Sequence, residues 1–116
     1  MIDIEAKLKE ISNVVYYGSA DDKDNLPLWN YIVFFRDTVR RGANNTGFTD
    51  YFTVAIVQEN WIPDEMIEET ITKLEALPGV RLAGQDIDYN YTRKPGTNAV
   101  VEIATIPFSR ARKRVK

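Results

Sequence analysis

Ile87-Asp88-Tyr89-Asn90-Tyr91, then Arg93-Lys94-Pro95-Gly96-Thr97, then Asn98–Phe108 is the stretch that decides the fold. In the first part, Ile87, Tyr89 and Tyr91 alternate with Asp88 and Asn90. Alternation with a period of two marks a strand with two unlike faces. Pro-Gly is a strong turn signal, and the β-branched run Val100-Val101-Glu102-Ile103-Ala104-Thr105-Ile106 resumes the strand pattern behind it. The segment therefore predicts an antiparallel hairpin with one face left open to solvent or to another subunit.

Working back from the hairpin, a strand is expected to start near Val80 and to bend at Gly84. Before it, Pro63 opens a helix with Asp64 and Glu65 in the first turn, where acids complement the helix dipole. Ile67, Ile71 and Leu74 form its apolar face, and Pro78-Gly79 stops it. Asp50–Glu59 predicts a strand with Phe52, Val54 and Ile56 on one face and Tyr51, Thr53, Ala55 and Val57 on the other. Leu28–Phe35, a β-branched and aromatic run after Pro27, predicts another, with both faces open to burial. Arg36–Thr49 reads as a long loop rich in turn residues. At the start, Ile4, Leu8, Ile11 and Val15 recur at helical spacing, which predicts a helix over residues 2–16.

The expected order is thus α-β-β-α-β-β. It implies an α+β fold with a mixed or antiparallel four-stranded sheet and two helices packed on one face. The 116-residue length suits one domain with a core that needs no disulfide or metal. Residues 1–109 are read as that domain, and 110–116 as a basic tail.

Composition narrows the chemistry. The chain has no Cys and no His. Thiol nucleophiles, Ser–His pairs and the usual zinc, iron–sulfur and haem ligands are therefore missing. Neither a phosphate loop ending in Gly-Lys-Ser/Thr nor a Gly-x-Ser-x-Gly elbow occurs. The expectation is a non-enzyme with no cofactor and no small-molecule substrate. A carboxylate site is still open, and the best cluster is Asp86 and Asp88 with Glu102 opposite them across the hairpin. An ordinary polar sheet face explains that cluster as well. Asp21, Asp22 and Asp24 beside Lys23 read as a solvated acidic turn. Met1-Ile2-Asp3-Ile4-Glu5 lacks a basic start before a long apolar run, and no stretch is apolar enough to span a bilayer. A protein made in a cytoplasm and kept off membranes is expected.

Charge is distributed unevenly. The net charge is −2, yet Arg110, Arg112, Lys113, Arg114 and Lys116 crowd the last seven residues. Without them ten basic residues face seventeen acidic ones, a net of −7 for residues 1–109. An acidic body with basic appendages points to charged partners. The candidate contact residues are Arg36, Arg40 and Arg41 at the base of the expected loop, Asn44 and Asn45 within it, and Arg110, Arg112, Lys113 and Arg114 in the tail. Tyr16, Tyr17, Trp29, Tyr31, Trp61, Tyr89 and Tyr91 add aromatic candidates for an interface.

The hairpin Asp86–Phe108 with its basic end, together with the strand and acidic-started helix of Thr49–Leu77, resembles the tail terminator or tail-completion proteins of long, non-contractile-tailed bacteriophages and prophages. The resemblance covers most of the chain by pattern and brings no local signature motif. It implies a mixed sheet with helices on one side and a homo-oligomeric ring, a hexamer, seated on the last ring of the tail tube. Its implied partners are the tube protein, the head–tail connector and the genomic DNA passing through the channel. Its implied location is the virion neck, after assembly in the bacterial cytoplasm. A head-closure ring component is the nearest alternative. A small nucleic-acid-binding module is the second, since strand aromatics and a basic tail resemble RNA-binding sheets. The acidic body and the helix-first order speak against that module.

Overall fold

The computed structural model describes residues 1–18, 30–42, 47–84, 86–94 and 96–112. In chain order its elements are α1 (Ile2–Lys9), β1 (Val15–Tyr17), β2 (Tyr31–Arg41), β3 (Phe48–Glu59), α2 (Asp64–Glu75), β4 (Val80–Leu82), β5 (Asp88–Arg93) and β6 (Val100–Arg112). Among the described residues the strands form one six-stranded sheet in the order β1-β2-β3-β6-β4, with β5 also on β6. Only the β1–β2 pairing is parallel.

This corrects the expected four-stranded sheet with two helices packed on one face: six strands are present, and two of them come from segments read otherwise. The first is β1. The helical spacing over residues 2–16 holds only to Lys9. Ser12 then folds back on its neighbours, its Oγ donating to Val14 O and accepting from Val14 N–H, both at 3.2 Å. A serine that bonds the local backbone competes with helix. The β-branched and aromatic residues Val14-Val15-Tyr16-Tyr17 then pair with β2, with Val15 opposite Ile32. Ile11 and Val15 still point at the core, from a turn and a strand instead of a helix.

The second departure is the split of the expected Val80–Tyr91 strand into β4 and β5. Both lie along the same edge of β6, with Leu82 opposite Phe108 and Asp88 opposite Thr105. The break falls beside Pro107. Its carbonyl accepts Ala83 N–H at 2.8 Å, so its backbone faces this edge. Proline has no N–H to return, and the ladder is interrupted there. Gly84, at φ +92°, turns the chain away.

Alternation along the strands builds the core. Ile32 and Phe34 of β2, Phe52, Val54 and Ile56 of β3, and Ala104, Ile106 and Phe108 of β6 cluster with Ile4 and Leu8 of α1 and with Ile67 and Leu74 of α2. Phe52 and Phe108 stack with centroids 5.4 Å apart. Burying each such ring contributes about 2–3 kcal/mol. Thr70 is fully buried on α2 because its hydroxyl is satisfied by Met66 O at 2.7 Å.

The long strands run past this core. β2 continues to Arg41 and β3 begins at Phe48, so the expected Arg36–Thr49 loop is mostly sheet. β6 likewise continues to Arg112, opposite Phe48, so Arg110 and Arg112 are strand residues. The result is an arm made of Arg36–Arg41, Phe48–Phe52 and Phe108–Arg112, with β4 paired along Phe108–Arg110 at its base. The molecule is elongated accordingly, 54 × 29 × 22 Å.

Candidate functional site

Two surfaces concentrate the candidate residues, one at each end of β3. The first is the arm. β3 is its central strand, with β2 on one side and β6 on the other. Arg41 and Arg112 flank Phe48, and Arg40 stands opposite Thr49. Two basic clusters about 70 residues apart in sequence are thus brought to one arm, with Arg41, Arg110 and Arg112 on the face of Phe48 and Arg40 on the other face, with Thr49 and Tyr51. A register shift between Arg36 and Thr38 marks a bulge at Asp37, whose carboxylate accepts the Thr53 hydroxyl at 2.6 Å. The extra residue re-aims the outer half of β2. Arg36 and Arg40 are exposed. The Arg40 guanidinium lies 5.4 Å from the Tyr51 ring centroid.

The β6 arginines are anchored more firmly. Arg112 lies over the Phe48 ring at 4.8 Å and donates through Nε to Asp50 Oδ2 at 2.8 Å. Among the described residues the buried Asp50 Oδ1 has no hydrogen-bond partner. Arg110 grips Asp3 of α1 with both guanidinium nitrogens. These hydrogen bonds, aided by Arg110's charge, lower the Asp3 pKa from its ordinary 3.8 to about 2 against the opposing effect of burial. The same pair raises Arg110. Arg110 therefore fastens the N-terminal helix to the base of the arm. The candidates Asn44, Asn45, Lys113 and Arg114, the Asp21–Asp24 turn and Trp29 lie outside the described residues.

The second surface is a cleft of about 340 Å³ at the opposite end, lined by Trp61, Ile62, Asp64, Tyr89, Tyr91 and Glu102. The β5–β6 register places Tyr89 opposite Ala104 and Tyr91 opposite Glu102. Trp61 and Ile62 follow the end of β3, and Asp64 opens α2. Glu102 is buried at 9% exposure, and its Oε1 accepts Ile62 N–H at 2.8 Å. That bond ties the β3–α2 connection to β6. The rings around it are open: Trp61 is 72% exposed, Tyr91 63% and Tyr89 41%. A hydrogen bond to Glu102, with burial and the Glu102 charge, raises the Tyr91 hydroxyl. Burial first, then Glu102 and Asp64, raise Tyr89.

This register separates the carboxylates grouped in the sequence. Asp88 pairs with Thr105, so it lies on the other sheet face from Glu102. Among the described residues no three such side chains gather to hold a metal ion, and no helix is long and apolar enough to cross a membrane. Sequence reasoning marked Trp61, Tyr89 and Tyr91 only as scattered aromatics. The signal was the hairpin register, which sets Tyr91 opposite Glu102, where the sequence reading had set Asp86 and Asp88. The remaining tyrosines pack against the sheet, Tyr16 edge-on to Tyr31 at 5.7 Å and Tyr17 against Phe34 at 5.0 Å.

Compared with known proteins, the chain matches no family model, and no curated protein matches it.

Proposed function

We propose that this protein is a structural component of a phage neck: a tail terminator that assembles as a homo-oligomeric ring, hexameric by resemblance, on the end of the tail tube. It stops tube polymerisation and joins the tail to the head. Its partners are further copies of itself, the tube protein and the connector, with DNA passing through the ring. It works in the virion after assembly in the bacterial cytoplasm, and no residue is assigned a catalytic role.

One observation carries the reading: strand pairing gathers Arg36, Arg40, Arg41, Arg110 and Arg112 at one end of the sheet, while the rest of the chain is net acidic. A ring requires a heterologous interface, in which unlike surfaces of neighbouring copies meet and close by rotation. An elongated subunit with opposite charge at its two ends supplies such surfaces. The likeness of Asp86–Phe108 and Thr49–Leu77 to tail-completion proteins supports the same reading.

The test is tail joining. Arg40→Ala combined with Arg41→Ala should abolish infectious, joined particles in a complementation assay. The purified variant should keep the wild-type circular dichroism spectrum. Normal joining by this variant would sink the proposal. Salt-sensitive binding of the wild type to generic DNA, lost in the same variant and without any ring, would favour the nucleic-acid reading instead.

A further inference from the structure

The cleft and the arm have complementary chemistry. Trp61, Tyr89 and Tyr91 present three exposed aromatic rings around a buried carboxylate, Glu102, with Asp64 at the rim. Aromatic faces carry negative charge density and attract guanidinium and ammonium groups. A carboxylate beneath such faces, shielded from water, strengthens that attraction. Arginine suits the site better than lysine because its planar head stacks on rings and forks onto carboxylates.

Among the described residues no cation of the same chain lines the cleft. Arg93, two residues beyond Tyr91, is turned back onto Asn98 O at 3.1 Å. Lys94 faces Glu59 at 3.9 Å. The arm's arginines stand at the far end of β3, ten residues of extended chain away from Glu59, roughly 34 Å. Arg40 is exposed, and its described contact is an aromatic ring, a kind of contact the cleft offers threefold.

We infer that the cleft receives the guanidinium of Arg40 from a second copy of this chain. The arm of each subunit plugs into the neighbour's Trp61–Tyr91–Glu102 cleft, and the growing chain of subunits keeps one free arm at one end and one free cleft at the other until the ring closes. The inference rests on the ring reading above and adds the contact that propagates it.

Two variants of the full chain separate the halves of the contact. Trp61→Ala with Glu102→Gln removes the cleft's affinity for a cation. The glutamine carbonyl still accepts from Ile62 N–H, and Trp61 is an exposed side chain. Arg40→Ala removes the plug. Sedimentation velocity of the wild type should show concentration-dependent self-association, weakened roughly tenfold in either variant. An equimolar mixture of the two should form a one-to-one complex, because one brings an intact arm and the other an intact cleft. If the Glu102 change unfolds the chain, Trp61→Ala alone serves as the cleft variant. Association of the cleft variant at wild-type strength overturns the inference. So does a mixture no more associated than its parts, and so does a wild type that stays monomeric. Annular particles of the cleft variant in negative-stain electron microscopy would overturn the inference while leaving the ring reading intact. A wild type that forms no ring on purified tail tubes would end both.

Discussion

Asp3 and Arg110 stand 107 positions apart, yet their ion pair closes the base of the arm onto α1. The pH dependence of this contact has a defined sign. The folded Asp3 has its pKa lowered from 3.8 to about 2, so the pair stabilises the fold fully above about 3.8. That contribution is lost as the pH falls towards about 2. Asp3 is 41% exposed, and solvent screening reduces the pair's worth to about 1 kcal/mol. Asp3→Asn should therefore lower stability by about that much at pH 7 in urea denaturation. The gap between variant and wild type should shrink as the pH falls through about 2 and vanish below it. A gap unchanged across that range would assign the effect to packing. Nothing local in the sequence flags this pair. Asp3 reads as a first-turn acid and Arg110 as one cation in a basic run, and only the course of β6 brings them together.

At the level of elements, the hinge between α2 and β4 depends on Gly79. Its φ is +78°, and a Cβ there would lie 2.8 Å from Ala111 O, a backbone atom that cannot swing aside. Ala111 N–H also donates to Gly79 O at 3.2 Å, so this glycine is where α2 meets the end of β6. Gly79→Ala should cost about 2 kcal/mol or more by equilibrium denaturation, from strain plus the clash. Gly96→Ala, at φ +77° but in open space, should cost only about 1 kcal/mol. Equal losses would show that the approach of β6 to Gly79 contributes nothing. The elements that were legible in the sequence are those with their own periodicity: β3, α2 and the β5–β6 hairpin. The arm was not, because Arg36-Asp37-Thr38-Val39-Arg40-Arg41 carries no apolar alternation. Those residues are held in a strand by pairing with Phe48–Phe52 instead of by burial of their own side chains. The split at Pro107 was hidden for a related reason, since it depends on what lies alongside the chain in the sheet.

The whole molecule is a sheet drawn out along β3 and β6, with cationic side chains at one end and an aromatic, acidic cleft at the other. The candidate site was half legible. The arginines were visible as charge, but their union on one arm needed strand pairing across about 70 residues. The cleft needed the β5–β6 register together with the connection after β3. Such a polar subunit favours head-to-tail contact over a symmetric pair, because each end matches the other end and not itself. On this account the protein spends its working life at the junction of head and tail. The most direct measurement is immunogold electron microscopy, with antibody to this protein, on virions from the source phage or induced prophage. Gold at the head–tail junction is the predicted result. Intact, accessible necks that never label, while the protein remains in the host lysate, would contradict the account.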